Sequence, residues 1–321
     1  GTDSLRLTLT AMAAQGRDVK LSKNRIEGYR NFATKLWNAA RFCEMNECTP
    51  VQGFDPATVT QTANKWIVGE MAKLSAKVTT SIDSYRFNEA ANSIYQVAWG
   101  TFCDWYLELI KPSLMGDDEA AKAETRATCS WALDQILLVL HPFMSYITEE
   151  LWQHMADKRD SMIIRAAWQE LSPDLVSAEA EAEMDWVVRL VSQIRAVRSE
   201  LNVPAGAKVP LLLDKATDES VRRLDANLDQ ISRMARLSSA QAGSGEGLAG
   251  AVQIIHDEAT VVLPLADVMD LDQEKARLAK EVDKMTAEIG KIDKKIITAQ
   301  KDKYPLETCV LSGEKLDNKS K

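Results

Sequence analysis

The stretch Tyr29–Cys43 constrains the fold more than any other part of this chain. Read at 100° per residue it is a helix with two unlike faces. Tyr29, Phe32, Ala33, Leu36, Ala40 and Cys43 make the i, i+3, i+4, i+7 stripe of a helix packed into a core. Arg30, Thr34, Asn38 and Arg41 fall on the other side, with Trp37 beside them. That second face offers fixed cations, an amide and an aromatic plane. Such groups hold phosphates and stack on or hydrogen-bond unpaired bases. The competing reading is a solvated face with an edge tryptophan, which helical proteins carry commonly.

A stripe of this kind needs further helices to cover it, and the sequence supplies them. Gly1–Leu7 opens a first helix, with Thr2 or Asp3 as N-cap, Leu5, Leu9 and Met12 on its apolar face, and Gly16-Arg17-Asp18 as its end. After the break Gly53-Phe54-Asp55-Pro56, residues 59–81 form a long amphipathic helix through Trp66, Ile67, Met71, Leu74 and Val78. Phe87–Ile110 is another, with Trp99, Phe102, Tyr106 and Leu109 as core; Trp105 faces either the core or a nucleic acid. Ala120–Leu140 and Phe143–Met155 complete a bundle that Ser172-Pro173 closes. Asp174–Asn202 reads as a connecting helix leading outward, acidic first and then basic through Arg189, Arg195 and Arg198, an order that suits the helix dipole.

From Val203 the texture changes. Val209–Leu213 is a short strand, Asp218–Leu237 a helix, and Val252–His256 and Thr260–Leu263 two strands with a turn at Asp257-Glu258. Gly243–Gly247 is a flexible connection and not a phosphate loop, since neither GxxxxGK[ST] nor GxGxxG is present. Leu271, Leu278, Met285, Ile292 and Ala299 then recur every seven residues, with Val282, Ile289 and Ile296 four after the second, third and fourth of them. That is a coiled-coil seam on a helix of about 33 residues, roughly 50 Å long, ended by Pro305. The residues after Pro305 continue no heptad, so the seam is left to fray, dock on the body or self-associate through residues 271–303. The expected architecture is mainly α. It has a helical bundle over 1–173, the connecting helix 174–202, a small β-α-β-β domain over 203–268, the coiled-coil arm 269–303 and an irregular tail 304–321.

The net charge of −8 excludes a general nucleic-acid coat. Its distribution is uneven: residues 1–48 and 275–321 are net basic, whereas 112–185 are strongly acidic. A polyanion would be drawn to both ends and kept off the middle. The five cysteines form no CxxC pair and read as reduced core thiols of a cytoplasmic protein, with no metal site. His141 and His154 read as capping or core histidines, and His256 lies on a strand without an evident partner. Glu149 and Glu150 are adjacent, point apart on a helix, and make no carboxylate pair; Glu150 is the one expected to cap or brace. No catalytic constellation emerges.

Several stretches resemble, in order, the anticodon-binding helical domain of class I aminoacyl-tRNA synthetases of the valyl, leucyl and isoleucyl group. They are Tyr29–Phe42, Phe102–Leu109, His141–Met144 and Ile147–Trp152. Val197-Arg198-Ser199-Glu200-Leu201-Asn202-Val203-Pro204-Ala205-Gly206-Ala207-Lys208, and Leu263–Asp267 leading into the heptads, resemble the valyl branch. The likeness covers roughly residues 1–300. It implies a tRNA partner, tRNA(Val) in that branch, with Arg30, Thr34, Trp37, Asn38 and Arg41 toward the anticodon and Lys291, Lys294 and Lys295 of the arm toward phosphate. Family members use ATP and valine, but neither a HIGH nor a KMSKS signature is here; Leu21-Ser22-Lys23-Asn24 lacks the Lys-Met start. The resemblance therefore implies a portion without catalytic or editing domains, inactive alone, whose partner is the missing catalytic half. The opening Gly1 fits such a fragment. The alternatives are the matching portion of an isoleucyl or leucyl enzyme, or a helical scaffold that binds protein through its heptad arm.

Overall fold

The computed structural model describes residues 1–13, 20–156, 159–246, 248, 250–266, 268 and 271–303, the side chains of 271–274 and 299–303 excepted. The expected break at Gly16–Asp18, Cys309 and the tail 304–321 lie outside the described residues. The bundle is built from α1 (Thr2–Met12), α2 (Lys23–Met45), α3 (Thr62–Asp83) and α4 (Phe87–Gln96), then α5 (Lys111–Met115), α6 (Glu119–Leu140) and α7 (Ser145–His154). α4 does not stop at Gln96. It widens into a π-helical stretch, Val97–Tyr106, and closes with the turn Leu107–Leu109.

The stripe read on α2 is the buried one: Phe32, Leu36, Ala40 and Cys43 are inaccessible, and Phe32 packs on the rings of Tyr95 and Trp99 at 5.0 and 6.3 Å. Ile67, Met71, Ile94, Phe102, Leu133 and Ile136 fill the same core. A polar knot pins it. The Tyr106 hydroxyl donates to Asn64 Oδ1 at 2.9 Å, and Asn64 donates to Glu124 at 2.9 Å. The Glu124 carboxylate also accepts the Thr60 and Gln61 N–H groups, capping the start of α3 from another helix. Burial pushes its pKa up, but these bonds outweigh burial and hold it below the usual range.

α1 turns the other way from the expectation. Leu5 and Leu9 are exposed, whereas Ser4, Leu7 and Thr8 are buried. Short side chains let α1 lie close on its neighbours, and the Thr8 hydroxyl is satisfied by Ser4 O at 2.6 Å. Asp3 does not cap its own helix either. Gly1 is the N-cap, without a side-chain bond, and Asp3 accepts the Tyr146 and Ile147 N–H groups at 3.2 and 2.7 Å, capping α7.

The second core is assembled on α8 (Ala178–Glu200), whose Trp186, Val187, Leu190, Val191 and Ile194 are inaccessible. They pack on β1 (Val209–Asp214), α9 (Asp218–Ala226), α10 (Leu228–Ala235) and β4 (Ala259–Pro264), and Leu109 of the bundle joins them. The single helix expected over 218–237 is two, broken at Asn227. There the buried Asn227 amide donates to Glu183 Oε1 at 2.8 Å and to Arg223 O at 2.9 Å, ending α9. A further strand, β2 (Leu237–Ala242), follows and pairs parallel to β1. The sheet order is β2-β1-β4-β3, with β3 (Ala251–His256) and β4 an antiparallel hairpin. His256 faces Ala259 across its two-residue turn, and Asp257 takes a left-handed φ of 53°. The domain is thus β-α-α-β-β-β, one helix and one strand more than β-α-β-β.

α11 (Leu271–Lys303) is the arm. Every described side chain from Leu278 to Thr298 is exposed, including the seam residues Val282, Met285, Ile289 and Ile292. Arg277 Nη2 donates to Glu200 O at 3.0 Å, tying the base of the arm to the end of α8.

Candidate nucleic-acid interface

The outer face of α2 is a continuous strip. Arg30, Thr34, Trp37, Asn38 and Arg41 are all exposed. The buried stripe fixes the rotation of the helix, and Ser22 fixes its start by accepting the Arg25 N–H at 3.4 Å. Among the described residues neither Arg30 nor Arg41 has a carboxylate within ion-pair distance. Lys35, by contrast, is tied inward: it pairs with Asp104 and lies 4.1 Å from the Trp99 ring centroid. The free cations of α2 therefore point away from the bundle, with an indole between them.

α7 completes the surface. His154 stacks on Trp37, ring centroids 6.1 Å apart and planes within 14°, and its Nε2 lies 3.5 Å from Glu44. Tyr146, at the other end of α7, is 68% exposed. A groove of about 490 Å³ runs between the start of α1, the Arg30–Trp37 side of α2, and Tyr146 and Ile147. Sequence reading missed both α7 residues. Tyr146 carried a signal, an aromatic residue on the polar side of its helix; His154 was read as structural, and only packing sets it on Trp37.

The remaining residues singled out by sequence divide cleanly. His141 is structural: its Nδ1 lies 2.7 Å from the Thr148 hydroxyl, and burial lowers its pKa. His256 does have a partner, Gln193 Oε1 at 2.8 Å from Nδ1, and it sits edge-on to Trp186. Glu149, not Glu150, is the brace, accepting the Ile163 N–H at 3.1 Å. Trp105 is half-buried against the second core, with the Arg195 guanidinium 5.6 Å from its centroid. Lys291, Lys294 and Lys295 are exposed on α11, on an element separate from the α2 strip. Cys43, Cys48, Cys103 and Cys129 are free thiols; Cys43 and Cys129 touch at 3.5 Å in the bundle core.

Residues 64–213 match the family described as the anticodon-binding domain of tRNA ligase. The match runs from α3 to β1, and α2 lies outside it, on its N-terminal side. A valine–tRNA ligase of Caulobacter vibrioides is 51% identical over 299 residues, covering 92% of this chain and 33% of the relative. One from Rhizorhabdus wittichii is 50% identical over 283 residues, 88% of this chain and 31% of the relative. One from Brucella suis is 48% identical over 302 residues, 92% of this chain and 32% of the relative. The chain is similar to the C-terminal portion of valine–tRNA ligases and spans about a third of their length. Among solved structures, a LeuRS–tRNA–LeuAMS ternary complex from Agrobacterium radiobacter K84 aligns with a TM-score of 0.44 and 13% identity, over 79% of this chain and 27% of that one. Among the described residues no helix is long and apolar enough to cross a membrane.

Proposed function

We propose that this chain binds tRNA(Val), with the outer face of α2 laid against the anticodon stem-loop, as the RNA-selecting portion of an enzyme that joins valine to tRNA with ATP. One observation carries the reading: beside the residues that match an anticodon-binding domain, the exposed strip Arg30–Thr34–Trp37–Asn38–Arg41 holds unpaired cations and an indole, while Lys35 of the same helix is tied inward. Trp37 and Tyr146 offer planes for unpaired bases, and the arginines offer forks to phosphate or base edges. Lys291, Lys294 and Lys295 on the arm add salt-sensitive phosphate contacts. ATP and valine belong to the partner half of the enzyme, outside this chain, and the whole acts in the cytoplasm.

Filter binding tests this. An arginine–base contact is worth about 1–3 kcal/mol, so Arg41→Ala should weaken tRNA(Val) binding roughly ten- to hundredfold. Arg189→Ala should not, because Arg189 is held by Asp185 and Asp257 at 2.9 and 2.5 Å. Equal losses would reduce the strip to general electrostatics, and no loss at Arg41 would return it to a solvated face. The exposed α11 seam supports a second reading, self-association through residues 271–303. Sedimentation should then show a concentration-dependent dimer that Ile289→Lys abolishes; a monomer throughout removes that reading.

A further inference from the structure

α2 is not the one place where cations stand without counter-charges. Among the described residues Arg126, Arg159, Arg189, Arg222 and Arg223 each have a carboxylate partner. Arg195, Lys208, Arg233 and Arg236 have none, yet all line one cleft of about 540 Å³ between α8, the end of α10 and the residue preceding β1. Its carboxylate, Glu108, is bound to Lys111 at 2.5 Å. The gathering is drawn from separate segments, and each piece is held in place. Arg195 Nε donates to Met234 O at 2.9 Å. Arg236 is the C-cap of α10 at a left-handed φ of 54°, and its carbonyl accepts the Val209 N–H at 3.2 Å. Beneath them Arg198, 7% exposed, donates from Nη2 to Ala207 O at 2.7 Å, fixing the loop that carries Lys208. Its Nη1 has no partner.

A helix C-terminus attracts cations, but it presents roughly half a negative charge. That accounts for Arg195 on the Met234 carbonyl and leaves Lys208, Arg233 and Arg236 unexplained. Like charges held together repel, and the whole chain carries −8, so acids were at hand to neutralise them. The cleft lacks a free aromatic plane, since Arg195 covers Trp105. Its chemistry is that of a phosphate track and not of a base pocket. It also connects to α2: Lys111, which holds Glu108, lies 5.7 Å from the ring of Phe42, the neighbour of Arg41.

We propose that this cleft binds the sugar–phosphate backbone of the RNA whose loop meets α2, so that one RNA bridges the bundle and the α/β domain. The inference rests on the tRNA-binding reading. The test is filter binding of a tRNA(Val) transcript to the full chain and to Lys208→Gln/Arg233→Gln, both sites exposed, over a salt series. Each lost phosphate contact lowers the slope of log K against log salt by about 0.9, so the double variant should lose about 1.8. With affinity unchanged when extrapolated to 1 M, that is about thirtyfold at 0.15 M. Arg222→Gln, a paired arginine, should leave the slope alone. Lys208→Gln alone, at an exposed site, should lose about 0.9 and serves if the double variant melts early. An unchanged slope beside an Arg41→Ala variant that binds weakly overturns the cleft and leaves α2 standing. An equal fall with Arg222→Gln also overturns it. No RNA binding by the wild-type chain overturns both.

Discussion

Replacing Arg159 with alanine should destabilise the bundle by an amount that depends steeply on pH. Arg159 forks onto Asp134 through two bonds of 2.8 Å, donates from Nε to Trp152 O at 2.8 Å, and lies 3.8 Å from the Trp152 ring centroid. The Asp134 side chain is 15% exposed, and burial raises its pKa even with the guanidinium beside it. Without Arg159 the carboxylate is buried and unpaired, and its escape is to take a proton. From an unfolded pKa near 3.9, that costs about 1.36 kcal/mol per pH unit, or about 4 kcal/mol at pH 7 and about 1.5 at pH 5. The lost cation–π contact adds roughly 1 kcal/mol at either pH. The expected loss is about 5 kcal/mol at pH 7 and about 2.5 at pH 5. The sign follows from linkage: in the variant the folded pKa lies above the unfolded one, so stability returns as pH falls and is lost as pH rises through the folded value. Urea denaturation followed by circular dichroism at both pH values measures it. Asp134→Asn in the same background should recover most of the loss at pH 7. A loss equal at both pH values, or an unrecovered double variant, refutes the reasoning. Because Arg159 grips α7 through Trp152 O, tRNA affinity should fall with stability as Tyr146 and His154 loosen.

His256 supplies a pH dependence of its own. Burial lowers its pKa below the ordinary 6.5, so its contribution is intact above about pH 6.5 and is lost as pH falls below it. The melting temperature should drop between pH 7.5 and 5.5, and His256→Gln should flatten that drop in part, since buried His141 acts in the same direction; an unaltered slope in the variant would exclude His256. Deleting residues 270–321 should cost less than about tenfold in tRNA affinity at 0.15 M salt, roughly 1.4 kcal/mol. A hundredfold loss that survives high salt in filter binding would show the arm to be a principal contact.

Where burial alone sets a helix, the sequence was legible. The α2 stripe holds Phe32, Leu36 and Cys43, large enough to fix its rotation, and the strip opposite follows from geometry. α1 misleads because close helix contact selects small residues: Ser4 and Thr8 go in beside Leu7, and Leu5 and Leu9 stay out. β2 carries no apolar alternation, since Leu237-Ser238-Ser239-Ala240-Gln241-Ala242 lies at a sheet edge and pairs through its backbone. The break at Asn227 depends on Glu183, a partner brought by α8. The basic cleft was hidden for the same reason. Arg195 and Arg198 read as a dipole-matched helix end, Arg233 and Arg236 lay unremarked in the helix expected over 218–237, and only folding brings them to Lys208.

The anchoring of α11 makes the arm a lever. From Arg277, tied to Glu200 O, the helix runs on as far as Lys303. At 1.5 Å per residue its lysines at 291–295 stand about 21–27 Å from that pivot. A rotation of about 10° at the pivot sweeps them through roughly 4–5 Å, more than the length of a hydrogen bond. Their reach toward a phosphate is therefore set less by the lysines than by the angle at the base of the helix. Arg277→Ala should act at a distance, scattering the arm's lysines while leaving the α2 strip in place.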